Sequence, residues 1–291
     1  MSNQSRISDE INSAYFTSIK SSEFCVEVLE NFDWLWDGAS VLEPAAGDGS
    51  LLKALRFGRF STEVTACDLV DYGCGAEVEN YLLRPIQRSD VVFTNPPFGK
   101  MASLAVKFFN KACLDSDRVA FIVPQSFRKI SIIDRLELNF WPVYDGDLPD
   151  ETYTIPDGSK RVVKTCFQMW ERRAKPRIKL NEIDYTRFFK SLTKEQALNE
   201  PLAYAIRGQG SKAGKVLNGL DHSEASTRFL VGCRDVIEQL DFSKIASFTA
   251  GIPSIGFSEL AYAVDLFKKD EDKLNDFLSR GAIVLLGCRS A

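Results

Sequence analysis

Asn95-Pro96-Pro97-Phe98-Gly99 directly follows an apolar run, Asp90–Thr94 (DVVFT). Two prolines would end a strand there, but strand termination explains neither the asparagine before them nor the aromatic after them. The group has a chemical logic of its own. A nitrogen attached to an aromatic ring is a poor nucleophile, because its lone pair is delocalised. Two acceptors aimed at its N–H bonds pull it toward a tetrahedral, reactive geometry. The Asn95 side-chain oxygen and the Pro96 carbonyl can supply them, with Pro96 and Pro97 stiffening the loop. Phe98 can stack on a flat heterocycle. Such chemistry needs no metal and no strong base. The single histidine, His222, lies far along the chain, and the seven cysteines are scattered with no C-x-x-C pair, so no metal site is expected.

A second set of residues reads as a cofactor loop. Val41-Leu42-Glu43-Pro44-Ala45-Ala46-Gly47-Asp48-Gly49-Ser50 is a short apolar strand, a turn with two glycines, and a helix start. Glycine lets the backbone approach a ligand closely. A dinucleotide fingerprint would need a third glycine where Leu52 stands, and Glu43 would repel a diphosphate. A cofactor without phosphates fits better. S-adenosylmethionine (AdoMet), with its amino group, sulfonium and ribose, is compatible with nearby carboxylates. Asp68, 19 residues after Gly49 and at the end of the next apolar run, is placed to accept from ribose hydroxyls, in preference to Asp71.

These residues need a scaffold that brings strand ends together. Continuous apolar runs predict strands over Ala39–Pro44, Glu63–Cys67, Asn80–Leu83 (weak), Asp90–Thr94 and Arg118–Val123, with helices near Ser50 and over Ala102–Leu114. Phe140–Tyr144 and Arg161–Trp170 read as two more strands, separated by a polar loop, Pro149–Lys160. The expectation is an α/β, Rossmann-like fold with a mostly parallel seven-stranded sheet. Ligands of such sheets bind beyond the carboxyl ends of the strands, which puts Asn95 in the crevice.

Taken together, the motifs resemble the AdoMet-dependent amino-methyltransferases, in the order of the gamma-type N6-adenine DNA methyltransferases. Tyr15-Phe16-Thr17 is similar to the family's N-terminal aromatic-x-Thr element, which implies that Tyr15 and Thr17 help hold the methionine moiety. Glu43, Pro44, Gly47 and Gly49 match the cofactor loop, and Asp68 the ribose-binding acid. Asn80 stands where the family often has an acid near the cofactor's adenine. Asn95-Pro96-Pro97-Phe98 matches the catalytic motif, and Val123-Pro124-Gln125-Ser126-Phe127 the strand end that follows it. The resemblance covers Tyr15 to Arg172. It implies AdoMet as cofactor and N6 of adenine in DNA as acceptor. RNA adenine and a protein glutamine amide are the alternatives that share the motif, and a non-catalytic methyltransferase-like subunit is a further one. Phe167 falls where the family can place an aromatic against the acceptor base, although a core phenylalanine is the plainer reading.

Composition sets the frame. The chain has 291 residues, 45% hydrophobic and 26% charged, with net charge −4. That suits a catalytic domain over 1–174 and a smaller α+β region over 175–291, a candidate for target recognition. Helices are expected over Lys194–Tyr204 and Ser258–Lys269, the latter capped by Ser258. The charge balance is −6 for the first part and +2 for the second. Gly158–Lys179 carries eight basic residues against Glu171 alone, a band able to contact phosphates. Arg207–Gly214 is a second basic, glycine-rich stretch. The partner expected is nucleic acid, DNA before RNA. No apolar run is long enough to cross a membrane and the N-terminus is polar, so a cytoplasmic location is expected. The sequence gives no oligomeric state.

Overall fold

The computed structural model describes residues 14–249, 252–287 and 289–290. They cluster into two compact units. The first takes the described residues up to Pro124, Arg135–Arg177 and the pair 289–290. The second takes Gln125–Asp134 and Ile178–Gly287.

The first unit is built on one twisted sheet. Its strands are β1 (Ser40–Glu43), β2 (Glu63–Asp68), β3 (Glu77–Val78), β4 (Val91–Thr94), β5 (Arg118–Pro124) and β6 (Phe140–Asp147). A short hairpin, β7 (Thr152–Thr154) and β8 (Lys160–Val162), stands apart from that sheet, and β9 (Thr165–Arg172) returns to it. The order across the sheet is β6-β9-β5-β4-β1-β2-β3, with a two-residue strand, Arg289–Ser290, beside β6. All neighbours from β5 to β3 are parallel, and β9 runs antiparallel to both β5 and β6. The expected Rossmann-like sheet of seven strands is present, and Arg289–Ser290 makes an eighth.

Burial explains which runs became central. All four β4 residues are buried, as is β5 after Arg118, because helices cover both faces of a parallel sheet. At the far edge, Glu63, Val64, Glu77 and Val78 are exposed, and charge at an edge discourages pairing with other chains. Helix α1 (Ile19–Asn31) begins at Ser18, whose side chain accepts from the Ser21 N–H. Helices α2 (Ser50–Phe57) and α3 (Ser103–Asp115) follow β1 and β4. Phe109 packs edge-on against Phe121, Phe140 and Trp170. Phe167 is fully buried between Phe93 and Tyr144; it is a core residue and not a wall for an acceptor.

Three elements differ from expectation. The third strand is Glu77–Val78, whereas Tyr81–Leu83 is a 3-10 turn capped by Asn80. Arg161–Trp170 is not one strand: Lys160–Val162 pairs with Thr152–Thr154 inside the expected loop, and Thr165–Arg172 belongs to the main sheet. In the second unit the helix after Lys194 stops at Leu198, and Tyr204 begins a strand.

The second unit carries a four-stranded antiparallel sheet, ordered Lys190–Leu192, Thr227–Val231, Tyr204–Arg207, Val216–Leu217. Its helices include Phe257–Phe267 and Glu271–Arg280. The first of these starts after Gly256, with Glu259 accepting from the Gly256 N–H, so Ser258 is inside the first turn and is not the cap. Glu259 also takes the buried Lys129 ammonium at 2.8 Å. His222 is half-buried, with a ring nitrogen 3.0 Å from the Asn218 carbonyl. No helix among the described residues is long and apolar enough to cross a membrane.

Candidate active site

The strand order reverses between β4 and β1: from β1 the chain builds outward to β2 and β3, then returns to β4 on the other side. Such a switch point leaves a crevice at the carboxyl ends of the two strands. The turn after β1 carries Gly47 and Gly49, and the turn after β4 carries Asn95 to Gly99, so both motifs flank the same crevice. A cleft lined by residues of both turns opens there.

Asn95 is held in one orientation. Its Nδ2 donates to the Tyr15 carbonyl at 2.7 Å and to Thr17 Oγ1 at 3.0 Å. A carbonyl oxygen can only accept, so Nδ2 must face Tyr15 and the amide cannot be turned over. Asn95 Oδ1 is thereby left as a buried acceptor with no partner among the described residues. Asn95, Pro96 and Pro97 all line the cleft. Among the described residues no backbone N–H donates to the Pro96 carbonyl.

The segment that orients Asn95 is itself fixed. The Phe16 N–H donates to the Thr154 carbonyl at 2.8 Å and the Thr154 N–H to the Phe16 carbonyl at 3.2 Å. The hairpin β7–β8 thus carries the segment as a third strand. Tyr15 lines the cleft, and its ring lies nearly parallel to Phe98 with centroids 6.0 Å apart. Phe98 is buried behind it and does not line the cleft. Thr17 is also buried and off the cleft, so its visible contact is with Asn95.

On the cofactor-loop side, Pro44, Gly47, Asp68 and Asn80 line the cleft, and Glu43 and Gly49 do not. Gly47 has φ +53°, and a Cβ there would sit 3.0 Å from the Phe16 ring. Gly49 begins α2 at φ +78°, and its missing Cβ makes room for Cys74, which would be 2.7 Å away. Its glycine is required by chain packing and not by close approach to a ligand. Asp68 Oδ2 accepts from the Gly47 N–H at 2.8 Å, and Oδ1 from Val70 at 3.0 Å. Burial raises its carboxyl above the usual aspartate range, and those backbone bonds oppose the rise. Asn80 Oδ1 accepts from the Leu82 N–H, so part of that amide is spent on the turn.

Glu43 lies fully buried beneath the loop. Its Oε1 accepts from Thr94 Oγ1 and, at 3.0 Å, from the Ala45 N–H. Its Oε2 has no partner among the described residues. Burial pushes this carboxyl up to about 8, against the pull of the two hydrogen bonds and with a small further rise from Asp68.

Several cleft residues had no role assigned from sequence: Phe16, Tyr72, Glu79, Leu104 and Phe108. Phe16 and Tyr72 meet edge to face at 5.0 Å. Leu104 and Phe108 stand four apart on α3, a spacing that reads equally well as core. Among the described residues no lysine or arginine lines the cleft, whereas Asp68 and Glu79 do. The lining therefore suits a ligand with positive charge and hydroxyls better than one with phosphates, and AdoMet meets that description.

No protein-family model matches the chain, and no curated protein matches it significantly. Solved structures resemble parts of the chain at low identity and low TM-score. A chain described as a modification subunit of a type I restriction enzyme from Vibrio vulnificus is 20% identical, with a TM-score of 0.43, over 58% of this chain and 46% of that one. TrmN from Thermus thermophilus is 17% identical at a TM-score of 0.39, over 53% and 52%. Magnesium protoporphyrin IX methyltransferase from Synechocystis, with bound SAM, is 13% identical at 0.40, over 60% and 98%. The chain spans about half the length of the first two. Likenesses of this strength carry neither fold nor chemistry, and both rest on this chain's own strands and residues.

Proposed function

We propose that the protein is an AdoMet-dependent methyltransferase acting on an exocyclic amino nitrogen, and that the nitrogen is N6 of adenine in DNA. The observation that carries the reading is the orientation of Asn95. Both Nδ2 hydrogens are committed to Tyr15 and Thr17, and Oδ1 is left as a buried, unpartnered acceptor at the rim of the cleft. An acceptor so fixed is preorganised for an amine N–H and pays no reorganisation when the reaction occurs.

AdoMet, when bound, supplies an electrophilic methyl group. The residues of this chain bind, orient and polarise. Asp68 takes the ribose hydroxyls, Asn80 lies toward the adenine, and Leu104 and Phe108 offer apolar surface to it. Glu43 Oε2, buried and unpartnered, can share a hydrogen bond with the ligand's amino end or with a water beside it. On the acceptor side, Asn95 Oδ1 and the Pro96 carbonyl take the two N–H bonds, localising the lone pair on nitrogen. The Tyr15 ring, backed by Phe98, gives a flat ring a surface to lie on. A base in duplex DNA must leave the stack to reach Asn95, at a cost of roughly a few kcal/mol.

Titration calorimetry tests the cofactor half of this reading. The protein should bind AdoMet one to one, and Asp68→Ala should weaken binding by about tenfold, the worth of roughly one charge-assisted hydrogen bond. No heat and no protection from thermal unfolding with AdoMet would remove the cofactor assignment.

A further inference from the structure

An acceptor base arrives attached to a chain of phosphates, so on the reading above some cationic surface must lie near the cleft. Six of the eight basic residues between Gly158 and Lys179 divide sharply in the structure; the other two, Lys175 and Lys179, lie beyond β9 and are exposed. Arg177 is buried and donates to the Leu136 and Phe140 carbonyls. Arg172 bonds Asp117 and the Cys113 carbonyl and lies over the Phe140 ring. Arg173 lies over Trp141. These are structural uses. Lys160, Arg161 and Lys164 are different: all three are exposed, and none has a carboxylate within ion-pair distance among the described residues. The one acid between Thr152 and Lys164 is Asp157, at the hairpin tip.

Their position is fixed relative to the cleft. Lys160 pairs with Thr154 across the hairpin, and Thr154 pairs with Phe16, a cleft residue. Two strand spacings put the Lys160 backbone about 10 Å from that of Phe16. The hairpin is anchored by Tyr153, which is buried and whose hydroxyl lies 2.7 Å from Thr165 Oγ1. Its tip is preformed: Asp157 accepts from the Ser159 N–H, and Gly158 sits at φ +82°. Three unpaired cations are thus presented on a rigid ribbon whose other edge holds the Tyr15–Thr17 segment.

We propose that the β7–β8 hairpin is a backbone clamp for a nucleic-acid strand, with Lys160, Arg161 and Lys164 on the phosphates beside the nucleotide whose base enters the cleft. The inference rests on the methyltransferase reading for its substrate. It also assigns the hairpin a second task, because β8, which carries Lys160 and Arg161, pairs with β7, and β7 is hydrogen-bonded to the segment that orients Asn95.

The test uses the full chain and a variant combining Lys160→Gln, Arg161→Gln and Lys164→Gln. The three positions are exposed, so the fold is retained, and unchanged AdoMet affinity checks that. Dissociation constants for fluorescent duplex DNA, single-stranded DNA and RNA are measured from 50 to 200 mM KCl, beside methylation of each. Losing three phosphate contacts should lower the slope of log Kd against log salt by about 2 to 3, so the wild type loses roughly 20- to 40-fold more affinity than the variant over that range. The arm with the largest change names the strand type. An unchanged slope and affinity on a strand that the wild type methylates would overturn the clamp and leave the methyltransferase reading intact. A wild type that neither binds nor methylates any nucleic acid, yet methylates a glutamine-containing peptide, would overturn both the clamp and the DNA assignment.

Discussion

Thr17 can be removed with almost no change of shape. Valine has the same outline, and Thr17 is buried, so Thr17→Val deletes the oxygen 3.0 Å from Asn95 Nδ2 while leaving the Tyr15 carbonyl bond at 2.7 Å. The amide then has one anchor where it had two. A hydrogen bond of this kind is worth about 0.5 to 1.5 kcal/mol, which as lost orientation in the transition state corresponds to roughly a 2- to 12-fold lower kcat. Asn95→Ala removes the acceptor itself, and loss of one preorganised polar group in an active site costs about 100- to 1,000-fold. If Thr17 acts only through Asn95, the two effects cannot multiply: the double variant should be as slow as Asn95→Ala and no slower. The assay is single-turnover methyl transfer at saturating AdoMet, with AdoMet affinity measured separately and expected within twofold of wild type for Thr17→Val. Two results would refute the reasoning. One is a double variant several-fold slower than Asn95→Ala. The other is a Thr17→Val variant whose main defect is in AdoMet affinity, as the family resemblance implies for Thr17.

Other consequences can be measured on stability. Glu43 titrates near 8 in the folded chain and near 4.5 when unfolded, so the native state holds a proton that the unfolded chain releases. Its contribution is fully present below pH 4.5, declines as pH rises, and is lost through about pH 8; Glu43→Gln should flatten the fall in Tm between pH 5 and 9 in the absence of AdoMet, and an unchanged slope would place the Glu43 proton wrongly. Gly49→Ala forces a Cβ to within 2.7 Å of Cys74 at φ +78°, and should cost about 1 to 3 kcal/mol, read as a lower denaturation midpoint. A neutral Gly49→Ala would mean that the loop after β2 yields to the added carbon.

The parts of the site that are local in sequence could be read from it. Val91–Thr94 and Val119–Val123 are continuous apolar runs because helices cover both faces of those strands, and a motif placed directly after such a run has to emerge at the strand end. Asp68 is legible for the same reason. The contact that fixes Asn95 was not, because it joins residues about eighty positions apart, and no local pattern records a distant hydrogen bond. Leu104 and Phe108 show the limit of periodicity: helical spacing says that one face of α3 is apolar, and says nothing of whether protein or ligand covers it. The misplaced third strand has a similar cause. Tyr81 is apolar enough to suggest a strand, but it is buried to bond Asp115 at 2.7 Å while Asn80 caps a tight turn. Within Arg161–Trp170 the chain changes partner near Val163, leaving a hairpin for the main sheet with only Lys164-Thr165 to mark the break.

The central claim is methyl transfer to an exocyclic amine of a base. The most direct measurement incubates the protein with methyl-labelled AdoMet and, separately, duplex DNA, single-stranded DNA, RNA and cell protein, then digests each and identifies the labelled species by mass spectrometry. N6-methyladenine is expected from DNA, and is expected to be absent with Asn95→Ala. Label confined to glutamine of protein, or none in any acceptor from a protein that binds AdoMet, would contradict it.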